Sequence, residues 1–138
     1  DLIIHQNNNV LKKMDGTVRE MHEKSGLTEK VRASNISEHE AEDQTLNFIK
    51  QYVESKSSPL CGNSIYMDRT FISKYFPEFE DYLHYRLIDV STIKELYKRW
   101  FPQRPGFKKK KEHRALDDIK ESIAELKFYR ENIFISPS

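Results

Sequence analysis

A histidine and two adjacent acids open the stretch KEHRALDDIKESIAELKFYR, which spans residues 111–130 and has the pattern of a helix. Carboxylates are preferred ligands of hard cations such as Mg²⁺, and a histidine can take a proton from an attacking water. His113 and Asp118 are five residues apart, so they would not share a face of one helix. They could converge only if His113 belongs to the incoming loop. The alternative is that Asp117 and Asp118 only complement the helix dipole, behind a solvent-exposed histidine.

The apolar residues of this stretch predict which side of the helix is buried. At ~100° per residue they fall on one stripe, which contains Ala115, Leu116, Ile119, Ile123, Leu126 and Ile133. If the stripe faces the core, Asp117 points away from the core and Asp118 lies at the border between core and solvent. A carboxylate at that border could hold a metal ion while packing anchors its helix.

A third acid stands near the start of another predicted helix. Asp68 follows the run PLCGNS, residues 59–64, which has the character of a buried strand. Ligands of α/β sheets bind at the carboxyl ends of strands. Two acids from separate elements, with a histidine to activate water, would suit a metal-dependent phosphodiesterase. The alternative for Asp68 is a simple helix cap.

The elements that must position these residues alternate between short apolar runs and helical patterns. Strands are predicted at residues 1–5, 59–64 and 85–90. Helices are predicted at residues 10–24, from a Ser37–Glu40 capping box to Val53, around residues 71–76 before Pro77, after a Thr92–Glu95 capping box, and at residues 111–130. Strands separated by helices predict an α/β sandwich with parallel neighbours.

Composition limits the classes of protein that this chain can represent. Its 138 residues suit one domain, and no apolar run approaches the length of a membrane span. A single cysteine, Cys61, excludes an internal disulfide and fits an intracellular protein, cytoplasmic or mitochondrial. The net charge is only +1, so nucleic acid would have to bind local patches. The lysine run 108–111 is either such a patch or a solvated loop.

Three blocks of the sequence carry a resemblance to a known family. They are GNSIYMDRTF, HYRLIDVSTIKELYKRW and HRALDDIKESIAELKFYR, and in this order and spacing they resemble the oligoribonucleases, small 3′-to-5′ exonucleases of the DEDDh family. The resemblance implies a ribonuclease H-like mixed sheet flanked by helices, and hydrolysis of very short RNA, such as dinucleotides, to 5′-mononucleotides. It implies that Asp68 and Asp118 bind two Mg²⁺ or Mn²⁺ ions and that His113 is the general base. It selects Asp118 rather than Asp117.

The resemblance also implies a site for the 5′ phosphate of the substrate. Its residues would be Ser64, Arg86, Ser91 and Thr92. An arginine fork with hydroxyls at a helix start is chemically suited to an anion. The alternative for Arg86 is a strand-edge residue paired with Asp89 or Glu95.

Two further residues would contact the base of the substrate. The resemblance implies that His22 lies against a base and that Tyr85 is supplied by the partner subunit of a homodimer. Thr17 stands where the family usually has a tryptophan. Losing one base–aromatic stack would cost roughly 1–3 kcal/mol of nucleobase affinity.

One part of the family pattern has no counterpart in this sequence. The family's first two strands, with a D-x-E motif that supplies two of the four metal-binding carboxylates, are absent, and residues 1–5 match its third strand. We therefore expect residues 1–138 to be a single, N-terminally incomplete exonuclease domain that is inactive and poorly folded alone. Two alternatives are a non-catalytic fragment or isoform acting by dimerisation or nucleotide binding, and a broader DEDDh exonuclease acting on longer RNA or DNA.

Overall fold

The chain forms helices around a small sheet, and a computed structural model describes residues 2–108 and 115–134. In chain order the helices are α1 (Asn8–Leu11), α2 (Gly16–Lys24), α3 (Leu27–Ala33), α4 (Glu38–Ile49), α5 (Ile65–Tyr75), α6 (Pro77–Tyr82), α7 (Val90–Trp100) and α8 (Ala115–Ile133). The strands are β1 (Pro59–Gly62) and β2 (His84–Asp89). This mixture of helix and strand agrees with the predicted α/β class. None of the described helices is long and apolar enough to cross a membrane.

The sheet consists of β1 and β2, which pair in parallel. Leu60 lies opposite Leu87, and Gly62 lies opposite Asp89. A Cβ atom at Gly62 would come within 2.9 Å of the end of the Ile65 side chain, which would have to shift to make room for a larger residue. Because the strands are parallel, both carboxyl ends lie at one edge of the sheet, where α5 and α7 begin.

The strand predicted at residues 1–5 is wrong within the described residues 2–5. Ile4 and Ile36 form an isolated parallel bridge, in which the His5 N–H donates to the Ile36 carbonyl at 2.7 Å. The pairing cannot extend further because α4 begins at Glu38, and helical backbone offers no free ladder of hydrogen bonds. Residues 2–5 therefore have a strand-like composition but no partner strand within the described chain.

The predicted ends of the early helices are partly confirmed. The helix predicted at residues 10–24 is divided into α1 and α2, because Asp15 caps a new helix by accepting from the Val18 N–H at 2.9 Å. The end at Lys24 is confirmed. Gly26 follows in the left-handed region, with φ of 70°, which favours glycine.

The capping predictions had two different outcomes. The Ser37–Glu40 box of α4 is confirmed, with the Ser37 N–H donating to Glu40 Oε2 at 2.8 Å, although α4 ends at Ile49. The Thr92–Glu95 box is wrong. The helix α7 begins at Val90, and its cap is Asp89, which lies at the end of β2 and accepts from the Ser91 N–H at 2.9 Å.

Two buried clusters hold the helices in place. Leu46, Phe79 and Leu83 form the first, which joins α4 to the α6 region. The second contains Val90, Tyr97 and Tyr129 and joins α7 to α8. The rings of Tyr97 and Tyr129 lie 5.3 Å apart, so the C-terminal half of α8 is anchored by aromatic packing.

The predicted buried face of α8 is only partly confirmed, because Leu126 and Ile133 of the apolar stripe are half-buried against the second cluster. Leu116, Ile119 and Ile123 from the apolar stripe are 55%, 57% and 51% exposed. The helix instead buries Glu125 and Tyr129, because Tyr129 packs into the second cluster. Around the helix axis, Asp118 lies about 20° from Glu125, but its side chain is exposed. Asp117 lies about 80° from Glu125, and its side chain is half-buried.

Candidate active site

The two candidate metal-binding acids lie in the first turns of α5 and α8. Asp68 is exposed, and its neighbour Arg69 fixes α5 by donating to Glu80 at 2.7 Å and to the His84 carbonyl at 2.9 Å. Asp118 is exposed two turns, about 10 Å, before Glu125 on the same face of α8. The two elements meet where the amide of Asn63, in the turn between β1 and α5, donates to Glu125 Oε2 at 2.9 Å.

The donor chemistry of these acids fits a hard cation, although they are only part of a full ligand set. Exposed carboxylate oxygens are the ligands that Mg²⁺ and Mn²⁺ prefer. Residues 2–108 and 115–134 contain no group of three or more His, Cys, Asp or Glu side chains placed to hold a metal ion. Asp68 and Asp118 would therefore need further oxygen ligands. His113, the predicted general base, lies outside the described residues.

Two of the predicted phosphate-binding residues are brought together at the carboxyl edge of the sheet. The hydroxyl oxygens of Ser64 and Ser91 lie 3.3 Å apart, and the Ser64 N–H donates to Ser91 Oγ at 2.9 Å. One carboxylate oxygen, Asp89 Oδ1, accepts from the N–H groups of both serines at 2.9 Å. We call Ser64 and Ser91 the serine pair. Because Asp89 occupies the amides, the hydroxyls are the donors left for an anion.

The other two phosphate-site candidates, Arg86 and Thr92, are exposed. Within the described chain, no hydrogen bond joins either side chain to the serine pair, and the guanidinium of Arg86 lies 5.3 Å from the centre of the Tyr85 ring. The suggested pairing of Arg86 with an acid is wrong among the described residues. Glu95 is paired instead with Lys98 and Arg99, each at 3.4 Å.

The candidate base-contacting residues lie on different parts of the molecule. His22 is half-buried in the last turn of α2, which packs against α3, and Thr17 is exposed in the first turn of α2. Tyr85 is 71% exposed, and its ring stacks on His84 with centroids 4.5 Å apart. No hydrogen bond or ring contact among the described side chains joins His22 to Tyr85. The structure therefore does not assemble a base pocket from them.

Sequence reasoning missed a buried polar cluster beside these acids. Glu125 is 0% exposed and accepts from Asn63 and from the Tyr129 hydroxyl at 2.9 Å, while Lys94 Nζ lies 3.6 Å away. Burial, followed by the hydrogen bond to Glu125, raises the pKa of the Tyr129 hydroxyl. In the sequence, Glu125 reads as a solvent-facing residue of an amphipathic helix. The only signal was its spacing of seven residues from Asp118, which places both on one face.

Comparison with known proteins connects this arrangement to a family. The exonuclease family model matches residues 1–126. The oligoribonuclease of Pseudoalteromonas atlantica is 56% identical over 134 residues, which make up 96% of this chain and 74% of that protein. Those of Shewanella oneidensis and Vibrio vulnificus are 53% and 54% identical over the same shares. The chain therefore belongs to the exonuclease family and, within it, to the oligoribonucleases.

Proposed function

We propose that this protein is a divalent-metal-dependent 3′-to-5′ exoribonuclease that degrades very short oligoribonucleotides, especially dinucleotides, to 5′-mononucleotides. The observation that carries the proposal is the serine pair at the carboxyl ends of the strands, where the helix that carries Asp68 begins. A phosphate held there would accept from neutral hydroxyl donors at the start of the helix that carries Asp68. The oligoribonuclease names of the relatives support the same substrate class.

The proposed chemistry divides between the two acids and the histidine. Asp68 and Asp118 would hold Mg²⁺ or Mn²⁺, which when bound activates the attacking water and offsets charge on the leaving oxygen. His113 would take the proton from that water. Since two acids are an incomplete ligand set, a D-x-E motif outside these 138 residues would supply the other carboxylates. The second edge of β1, unpaired within the described sheet, supports the addition of the family's central strands there.

The proposed substrate end is its 5′ phosphate. Ser64, Ser91 and Thr92 would donate hydroxyl hydrogen bonds, and Arg86 would supply the positive charge. The side chain of Arg86 is exposed and has no ion pair among the described residues, so it can turn toward an anion without breaking one. A phosphate enclosed by these groups leaves no path for a longer chain. This closed end would set the preference for dinucleotides.

The proposed active assembly is a homodimer. The side chain of Tyr85 is 71% exposed, so it is not part of the buried core of its own chain. Exposed aromatic rings are typical of protein–protein interfaces. In the dimer it would contact a base in the partner's site, while His22 would contact a base in its own. Thr17, which offers no ring, would leave that base more weakly stacked.

The test is the Mg²⁺-dependent release of mononucleotides from a 5′-phosphorylated dinucleotide and from a matched longer RNA, using the complete natural protein. The proposal expects much faster turnover of the dinucleotide, and Asp118→Asn should remove it. Equal or faster turnover of the longer RNA would favour a broad exonuclease. Binding of the dinucleotide with no turnover at any Mg²⁺ or Mn²⁺ concentration would favour a non-catalytic protein.

A further inference from the structure

The fully buried carboxylate of Glu125 is shared by three structural elements. Its Oε2 accepts from Asn63 in the β1–α5 turn, and its Oε1 accepts from Tyr129 within α8. Lys94 from α7 lies 3.6 Å from Oε1. A buried charge is costly unless it is paired and hydrogen-bonded, so these partners restrict Glu125 to one position. The carboxylate acts as a joint between the β1–α5 turn, α7 and α8.

This joint lies between the elements that carry the two candidate metal ligands. Asn63 comes five residues before Asp68, and Glu125 comes seven residues after Asp118 on the same face of α8. Among the described residues, the apolar stripe in the N-terminal half of α8, Leu116, Ile119 and Ile123, is exposed and adds little packing there. The aromatic anchor at Tyr129 is three turns away from Asp118. The position of Asp118 therefore depends on Glu125.

The amide of Asn63 is oriented by the same bond. Its Oδ1 is buried and has no hydrogen-bond partner in the part of the chain that is described. Turning the amide over would bring Oδ1 against the Glu125 carboxylate, where two acceptors repel each other. The bond from Nδ2 to Glu125 thus fixes the turn that begins α5, and with it the direction in which Asp68 projects.

We propose that Glu125 is a positioning residue, which holds α8 against the β1–α5 turn and so sets the separation between Asp118 and Asp68. With a side chain that is 0% exposed, Glu125 would act through Asn63 and α8 rather than by touching metal or substrate. The inference rests on the proposed function, since it takes Asp68 and Asp118 as the metal ligands. Contacts of the serine pair with Asp89 do not involve Glu125, so the phosphate site should keep its shape without the joint.

A matched pair of variants tests the joint, because each removes one hydrogen bond to the same carboxylate. Asn63→Ala deletes the bond from the β1–α5 turn to α8, whereas Tyr129→Phe deletes the bond within α8. In the complete natural protein, Asn63→Ala should raise the half-saturating Mg²⁺ concentration about tenfold and lower kcat at limiting Mg²⁺. KM for a 5′-phosphorylated dinucleotide at saturating Mg²⁺ should change less than about twofold. Tyr129→Phe should shift the Mg²⁺ dependence little.

A reciprocal exchange gives the second test. Asn63→Asp alone places two carboxylates together and should weaken Mg²⁺ binding more than Asn63→Ala. Adding Glu125→Gln to that variant restores a hydrogen bond, because the introduced amide donates to the introduced carboxylate, and it should recover most of the Mg²⁺ affinity. Calorimetric Mg²⁺ titration measures this recovery without any turnover.

Three outcomes separate the inference from its basis. Equal Mg²⁺ shifts in Asn63→Ala and Tyr129→Phe, or no shift in either, would overturn the positioning role. Failure of the exchange pair to recover Mg²⁺ affinity over Asn63→Asp would also overturn it. If Asp118→Asn keeps the wild-type Mg²⁺ dependence, the proposed metal site itself is wrong, and the joint has no site to position.

Discussion

Replacing Arg86 by alanine is expected to weaken binding of 5′-phosphorylated dinucleotides selectively. A charge-assisted contact to phosphate contributes about 1.5–3 kcal/mol, which is roughly 10- to 150-fold in affinity. The exposed position of Arg86 favours the lower end, about tenfold, because solvent screens the pair. The fold should lose little, since the contact of the guanidinium with the Tyr85 ring, 5.3 Å away, is worth about 0.5–1 kcal/mol at an exposed site.

The assay compares equilibrium binding of one dinucleotide with and without its 5′ phosphate. Arg86→Ala should lose affinity for the phosphorylated form and leave the other form nearly unchanged. Arg86→Lys keeps the charge but not the fork, and should fall between wild type and Arg86→Ala. Arg99→Ala removes an exposed arginine that is paired with Glu95, and serves as the control for net charge. An equal loss for both dinucleotides would refute the assigned role of Arg86.

The remaining predictions concern the base, the acids, the dimer and pH. His113→Ala should leave the melting temperature unchanged and lower turnover ~10²–10⁴-fold, and near-wild-type rates would remove it from the mechanism. Asp118→Asn should abolish Mg²⁺-dependent turnover, whereas Asp117→Asn, at a half-buried site, should affect melting more than rate. Tyr85→Ala should reduce turnover, and light scattering should find wild type dimeric; a fully active monomer would contradict this. Because the pKa of Tyr129 is raised on folding, the fold should lose stability as pH rises above about 10, and Tyr129→Phe should flatten that loss in melting curves.

Local signals in the sequence predicted part of the local structure, although the Thr92–Glu95 capping box was wrong. The Ser37–Glu40 box and the strand before Ser64 depend on interactions between near neighbours, and both are present. The buried face of α8 could not be predicted this way, because Glu125 and Tyr129 are buried by contacts with residues far away in sequence. Glu125 binds Asn63, and Tyr129 packs against Tyr97. Periodicity assigned the core to the apolar stripe, yet Leu116, Ile119 and Ile123 at its N-terminal end are exposed, and only Leu126 and Ile133 pack against the second cluster.

The candidate site was predictable only where its residues belong to a sequence motif with fixed spacing. The meeting of Ser64 and Ser91 was expected from the family resemblance, and the structure does bring them together. The role of Asp89 in holding both was not foreseen, because the sequence predicted a Thr92–Glu95 capping box and assigned Asp89 to the strand before it. Long-range polar contacts such as Asn63 with Glu125 leave no periodic trace in a sequence.

The engagement of both serine amides by Asp89 has a consequence for how the protein treats polymers. Under the proposed function, neutral hydroxyls and one arginine, Arg86, recognise the substrate end, in a chain whose net charge is only +1. Proteins that track long RNA release many counterions by matching successive phosphates with basic residues. A site with one assigned cation gains almost no such counterion entropy from each added nucleotide. At the proposed 5′-phosphate site, added length therefore contributes little electrostatic affinity, and the shortest chains compete there with longer cellular RNA on nearly equal terms.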